Sequence, residues 1–148
     1  MDLKILGISQ HHNSSVCLLE DGNIKLHLDD ERVSGIKWNT ECFTALDCIN
    51  DDLDYVCVSG FSPNEDYNRD YKDYLIKKGK NFKYHNVWSK HHLFHASGSF
   101  YNSGFRKALC VIIDGMGSEY YLNEKPFYEG SYGREQRSSF VAEYPCQF

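Results

Sequence analysis

The chain has 148 residues, 41% hydrophobic and 25% charged, a composition that suits one globular domain and excludes a disordered segment. Its net charge of −5 argues against a general nucleic-acid partner, which calls for a basic surface. No apolar run approaches the roughly 20 residues of a membrane-spanning helix, and the opening M-D-L-K-I-L-G-I-S-Q lacks a signal peptide's basic flank, so no membrane partner and a cytoplasmic location are expected.

Taken in chain order, residues 3–9 (L-K-I-L-G-I-S) and 14–20 (S-S-V-C-L-L-E) read as strands. Asp21-Gly22 is a hairpin turn, and 23–29 (N-I-K-L-H-L-D) alternates as a third strand. The chain thus opens on a β-meander. Phe43, Leu46 and Ile49 sit at helical spacing in 40–50, with Thr40 placed to cap that helix. Residues 54–59 read as a strand, 65–78 as a Tyr-rich surface helix, 82–87 as a short strand and 89–101 as a helix. The run K-A-L-C-V-I-I at 107–113 is the clearest strand, followed by the glycine-rich turn D-G-M-G-S and short strand-like pieces in 118–132. The expected fold class is α/β, with the 3–9, 14–20, 23–29, 54–59 and 107–113 strands in one mixed sheet.

None of the six cysteines forms a C-x-x-C pair, and several lie in apolar runs, so they read as reduced core residues. The final S-S-F-V-A-E-Y-P-C-Q-F has no closing helix or polar tail, which predicts an apolar face that needs a covering partner.

Four segments carry chemistry. In S-K-H-H-L-F-H-A, residues 89–96, His91 and His95 are four apart and share one helix face, so the pair can chelate a metal; His92 and His95 are the alternative pair. In V-I-I-D-G-M-G-S, residues 111–118, a strand ends in Asp114. Gly115 and Gly117 follow and let backbone N–H groups approach an anion. The connection G-I-S-Q-H-H-N-S-S, residues 7–15, joins two strands and places His12 where it could exchange a proton. The fourth, D-D-E-R-V-S-G-I-K, residues 29–37, carries Glu31, Arg32 and Lys37 after the third strand; such a loop is usually a solvated face.

In this order, L-G-I-S-x-x-H-x-S-S-V-x-L-L-x-D-G, E-R-x-S-x-x-K, H-H-L-x-H-A-x-x-x-F-Y-x-S-G-F and I-D-G-M-G-S-E resemble the O-carbamoyltransferases of antibiotic and nodulation-factor biosynthesis. The likeness runs over essentially the whole chain. It implies the first lobe of an actin, sugar-kinase and heat-shock-ATPase-like fold. It further implies that a carbamoyl group passes from carbamoyl-adenylate, made from ATP and carbamoyl phosphate, to a hydroxyl of a small-molecule acceptor. By motif matching, His91 and His95 would hold a divalent ion, iron(II) by the family pattern. His12 would lie at the transfer site, with neighbouring His11 as the alternative, and Asp114, Gly115 and Gly117 would line the nucleotide.

Family members are several times longer. Their second lobe, a further carboxylate metal ligand and the adenylate-forming domain would lie outside these 148 residues. The expectation is a carbamoyltransferase fragment inactive alone, with a second chain as the partner that supplies the missing lobe. The alternatives are a non-catalytic remnant that binds metal or nucleotide, and a metal-dependent hydrolase or chaperone-like nucleotide-binding module.

Overall fold

A computed structural model of the chain describes residues 2–10, 13–60, 65–87, 90–115, 119–121, 132–134, 136–145 and 147. They fall into two units, Met1–Trp88 and Ser89–Phe148.

The first unit is built on β1 (Lys4–Gln10), β2 (Ser15–Glu20), β3 (Asn23–Asp29), β4 (Tyr55–Gly60) and β5 (Lys83–Asn86), which form a five-stranded sheet in the order β3-β2-β1-β4-β5. The predicted meander is present: β1 and β2 are antiparallel neighbours, as are β2 and β3, while β4 adds parallel to β1 and β5 parallel to β4. The hairpin turn needs left-handed backbone at both central residues, and Asp21 (φ 49°) and Gly22 (φ 80°) supply it. The Asp21 carboxylate also accepts the Leu3 amide at 2.8 Å.

Strand alternation puts Leu6, Ile8, Val16, Leu18, Val56 and Val58 on one face, all buried. They share a core with Ala45, Leu46, Ile49, Tyr71 and Leu75. Full burial of a side chain such as Leu46 contributes about 1.5–3 kcal/mol.

The helices of this unit are α1 (Asp30–Ser34), α2 (Phe43–Asp47) and α3 (Glu65–Lys77). The charged loop expected at 29–37 contains the one-turn α1, closed by Gly35. The helix predicted over 40–50 is shorter than expected and begins after Cys42, so Thr40 does not cap it. Its cap comes from elsewhere in the chain: the buried Asp30 carboxylate accepts the Ala45 amide at 2.8 Å and the Asn39 side-chain amide at 2.7 Å. An oxygen from a distant residue thereby satisfies a first-turn N–H that local sequence leaves open.

Ser14, also buried, donates its hydroxyl to the carbonyls of Asn39 (3.1 Å) and Glu41 (2.7 Å), and its own carbonyl accepts the Asp30 amide at 2.9 Å. Ser14, Asp30 and Asn39 thus tie the ends of β2 and β3 to the start of α2. The predicted surface helix α3 turns Tyr71 and Leu75 fully into the core.

The second unit contains α4 (His91–Ser103), β6 (Lys107–Ile113), β7 (Glu119–Tyr121), β8 (Tyr132–Arg134) and β9 (Arg137–Glu143). Here the single-sheet expectation is corrected. The 107–113 strand does not join the five-stranded sheet; β6 pairs antiparallel with β9, and β7 with β8. The partner is β9, a strand the sequence reading missed in S-S-F-V-A, and its seven-rung register satisfies the β6 backbone groups on that edge.

Helix α4 packs on β6 and β9 through His92, Ala96 and Phe100, an i, i+4, i+8 stripe. It ends at Gly104, whose left-handed φ of 75° suits a glycine cap. The other face of the ladder carries Leu109, Val111, Ile113 and Val141, each 55–76% exposed. Of the tail from which an apolar face was expected, Val141 and Tyr144 are exposed and Phe140 is half-buried. Cys146 and Phe148 lie outside the described residues.

Among the described residues, Cys17, Cys42, Cys48, Cys57 and Cys110 are free thiols, of which Cys42 is buried and Cys48 exposed rather than in the core. No helix among them is long and apolar enough to cross a membrane.

Candidate metal centre

Strand alternation decides which way Asp114 points. It follows β6 directly, and its amide donates to the Gln136 carbonyl at 3.0 Å, prolonging the ladder by one rung. Positions 108, 110 and 112 are the less exposed side of β6, the side on which α4 packs. Residue 114 shares their parity and therefore projects the same way. On α4, His91 and His95 lie one turn apart on a face adjacent to the buried stripe.

The result is a convergence of three ligand atoms. His91 Nε2 lies 2.8 Å from Asp114 Oδ2, His95 Nε2 lies 3.2 Å from the same oxygen, and the two Nε2 atoms are 3.0 Å apart. The two imidazole rings meet edge to face at 73°. A metal–nitrogen bond of about 2.0–2.1 Å places neighbouring ligand atoms about 3.0–3.4 Å apart, so the observed separations match those of donors surrounding one small ion.

The donor set also fits: two imidazoles and one carboxylate are the common ligands of zinc and of non-haem iron. The side chains are 41%, 53% and 33% exposed for His91, His95 and Asp114, which leaves room for further ligands from solvent or substrate. In the metal-free protein the same contacts act as hydrogen bonds, an imidazole N–H donating to the carboxylate or to the neighbouring ring.

The predicted His91/His95 pair is therefore brought together. The alternative His92/His95 pair is not: His92 is fully buried, with Nδ1 2.7 Å from Ser138 Oγ. Asp114, expected beside nucleotide phosphates, stands within hydrogen-bonding distance of both histidines. The signal was available in the sequence as the even-position alternation of 108–114. Gly115 is exposed, and a side chain there would meet nothing within 4 Å. Gly117, His11 and His12 lie outside the described residues.

In the 29–37 segment the buried group is Asp30, whereas Arg32 is 77% exposed and lies 3.5 Å from Glu31. Lys37 lies over the exposed Trp38 ring, 5.7 Å from its centre.

No protein-family model matches the chain, and neither does any curated protein or any solved structure.

Proposed function

We propose that the chain is the metal-holding part of an O-carbamoyltransferase, with an actin-like first lobe and a divalent ion, iron(II), held by His91, His95 and Asp114. The observation that carries this reading is the convergence of those three side chains within 2.8–3.2 Å, in the segments where the family's motifs fall. The mixed sheet that opens on a β-meander supports the lobe.

When bound, a divalent ion supplies charge neutralisation for the phosphate of a leaving nucleotide. The remaining chemistry belongs to the chain. Backbone amides at Gly115 and Gly117 would hold phosphate oxygens. His12 would take the proton of the acceptor hydroxyl as its oxygen bonds to the carbamoyl carbon. The bond from that carbon to the nucleotide phosphate breaks, and AMP leaves with the electron pair.

Transfer in this reading needs a second lobe, in the same or another chain. The exposed Leu109, Val111, Ile113 and Val141 face supports that requirement. A second reading, a metal-dependent hydrolase, is favoured by the same open two-histidine, one-carboxylate donor set.

Calorimetric titration with iron(II) and with zinc tests the site. One ion should bind per chain, with affinity at least tenfold weaker in His91→Ala, His95→Ala and Asp114→Ala. Equal affinity in all four proteins would refute it. The chain alone should release no AMP from ATP and carbamoyl phosphate; measurable release would contradict the need for a second lobe. Metal-stimulated hydrolysis of a simple ester, without nucleotide, would favour the hydrolase.

A further inference from the structure

We infer that the hydrogen bond between His92 and Ser138 is a positioning contact: it fixes the roll of α4 and so holds His91 and His95 toward Asp114. The inference rests on the metal reading above.

Helix α4 meets the ladder through His92, Ala96 and Phe100. Ala96 offers a methyl group and Phe100 an apolar ring, and neither contact is directional. Each residue step along a helix is a rotation of about 100°, so a modest roll of α4 would carry His91 and His95 away from the ladder while keeping most of its apolar contact. The 2.7 Å bond from His92 Nδ1 to Ser138 Oγ resists that roll, because a hydrogen bond weakens steeply when its geometry is bent.

Ser138 is well placed for this. It pairs with Ile112 across the ladder, two residues before Asp114, whose own amide donates to Gln136 on the continuation of β9. The anchor and the carboxylate ligand therefore sit at the same end of the same ladder.

The burial of His92 points the same way. Its side chain is fully buried, and its Nε2 has no hydrogen-bond partner among the described residues. A buried, unpaired polar atom costs stability, and a leucine or phenylalanine would fill the space without that cost. What histidine adds is the directional bond.

The test uses the full chain and the variants Ser138→Ala, Ser138→Thr and His92→Phe. In the metal-free protein, nitrogen-15 correlation spectra of the histidine rings should show the His91 and His95 signals displaced in Ser138→Ala and His92→Phe, and restored in Ser138→Thr. Cobalt(II), as the metal probe, should bind roughly tenfold more weakly to the two disruptive variants, with a changed visible spectrum. His92→Phe should keep or raise the unfolding temperature, which a merely structural role for His92 would lower. Unmoved ring signals together with unchanged cobalt affinity in Ser138→Ala would overturn the inference. If wild type and His91→Ala bind cobalt equally, the metal reading fails, and the ring signals still decide whether the bond sets the roll. Should His92→Phe not fold, Ser138→Ala decides alone.

Discussion

The two units use an aspartate in opposite ways. In the first, Asp30 is fully buried, and its two oxygens accept from Ala45 and Asn39 at 2.8 and 2.7 Å, so the carboxylate serves the fold. In the second, Asp114 is one-third exposed and faces two imidazoles whose nitrogens could equally face a metal. The surroundings differ as well. The five-stranded unit is closed by a core drawn from β1, β2, β4, α2 and α3, whereas the β6–β9 ladder is covered by α4 on one face and, among the described residues of its unit, carries exposed apolar side chains on the other. The first unit holds the larger buried core, and the second holds the candidate metal ligands. A carboxylate whose acceptors are met by neutral N–H donors deep inside serves the fold, and one that faces two imidazoles near the surface is a candidate ligand.

The largest effect that sharpens this contrast is expected in the first core. Leu46→Ala removes a fully buried side chain and should cost about 2–5 kcal/mol in denaturant unfolding. A loss under 1 kcal/mol would show the core to be looser than described. Asp30→Ala comes next. It strands the Ala45 amide and the Asn39 side chain, for a cost of about 3 kcal/mol, while Asp114→Ala should cost less than about 1 kcal/mol and abolish metal binding. Reversal of those two stabilities would break the comparison.

Thiol reactivity gives a smaller and cleaner readout. Burial pushes the Cys42 thiol up to about 12, whereas Cys48 is exposed. Alkylation of the native chain at pH 8 should therefore modify Cys48 well before Cys42. Equal rates, followed by peptide mapping, would mean that α2 opens readily.

The smallest effect lies in the surface ion cluster of the first unit. Lys25 holds both Glu20 and Asp51 below the ordinary carboxylate range, chiefly through hydrogen bonds, and Lys4 adds to it. Carboxylates depressed in the folded state contribute stability that is present above their unfolded pKa of about 4 and lost as pH falls through their lower folded values. Unfolding followed from pH 6 to pH 3 should show a smaller acid loss in Lys25→Ala than in wild type, and salt should narrow the difference. Identical pH dependence would remove the cluster from the account.

Much of the first unit was legible in the sequence. Alternation in 3–9, 14–20 and 23–29, together with Asp21-Gly22, placed the meander to within a residue, because these signals are local. The α2 cap was not legible: Asp30 lies 15 residues from the amide it caps, and only the fold brings them together. The partner of the 107–113 strand was misjudged for a similar reason, since strand pairing is non-local and S-S-F-V-A is short and weakly apolar. At the site, the i, i+4 spacing found His91 and His95. Asp114 was visible as a residue, but its company was not, because its direction depends on the parity of β6 and on the side that α4 covers.

X-ray absorption at the metal edge of the iron- or zinc-loaded chain reads the ligands of the bound ion. A His91/His95/Asp114 centre should give two imidazole nitrogens and one carboxylate oxygen at about 2.0–2.2 Å, with the imidazole scattering reduced by one ring in His91→Ala. A first shell without imidazole scattering, or one unchanged in His91→Ala, would contradict it.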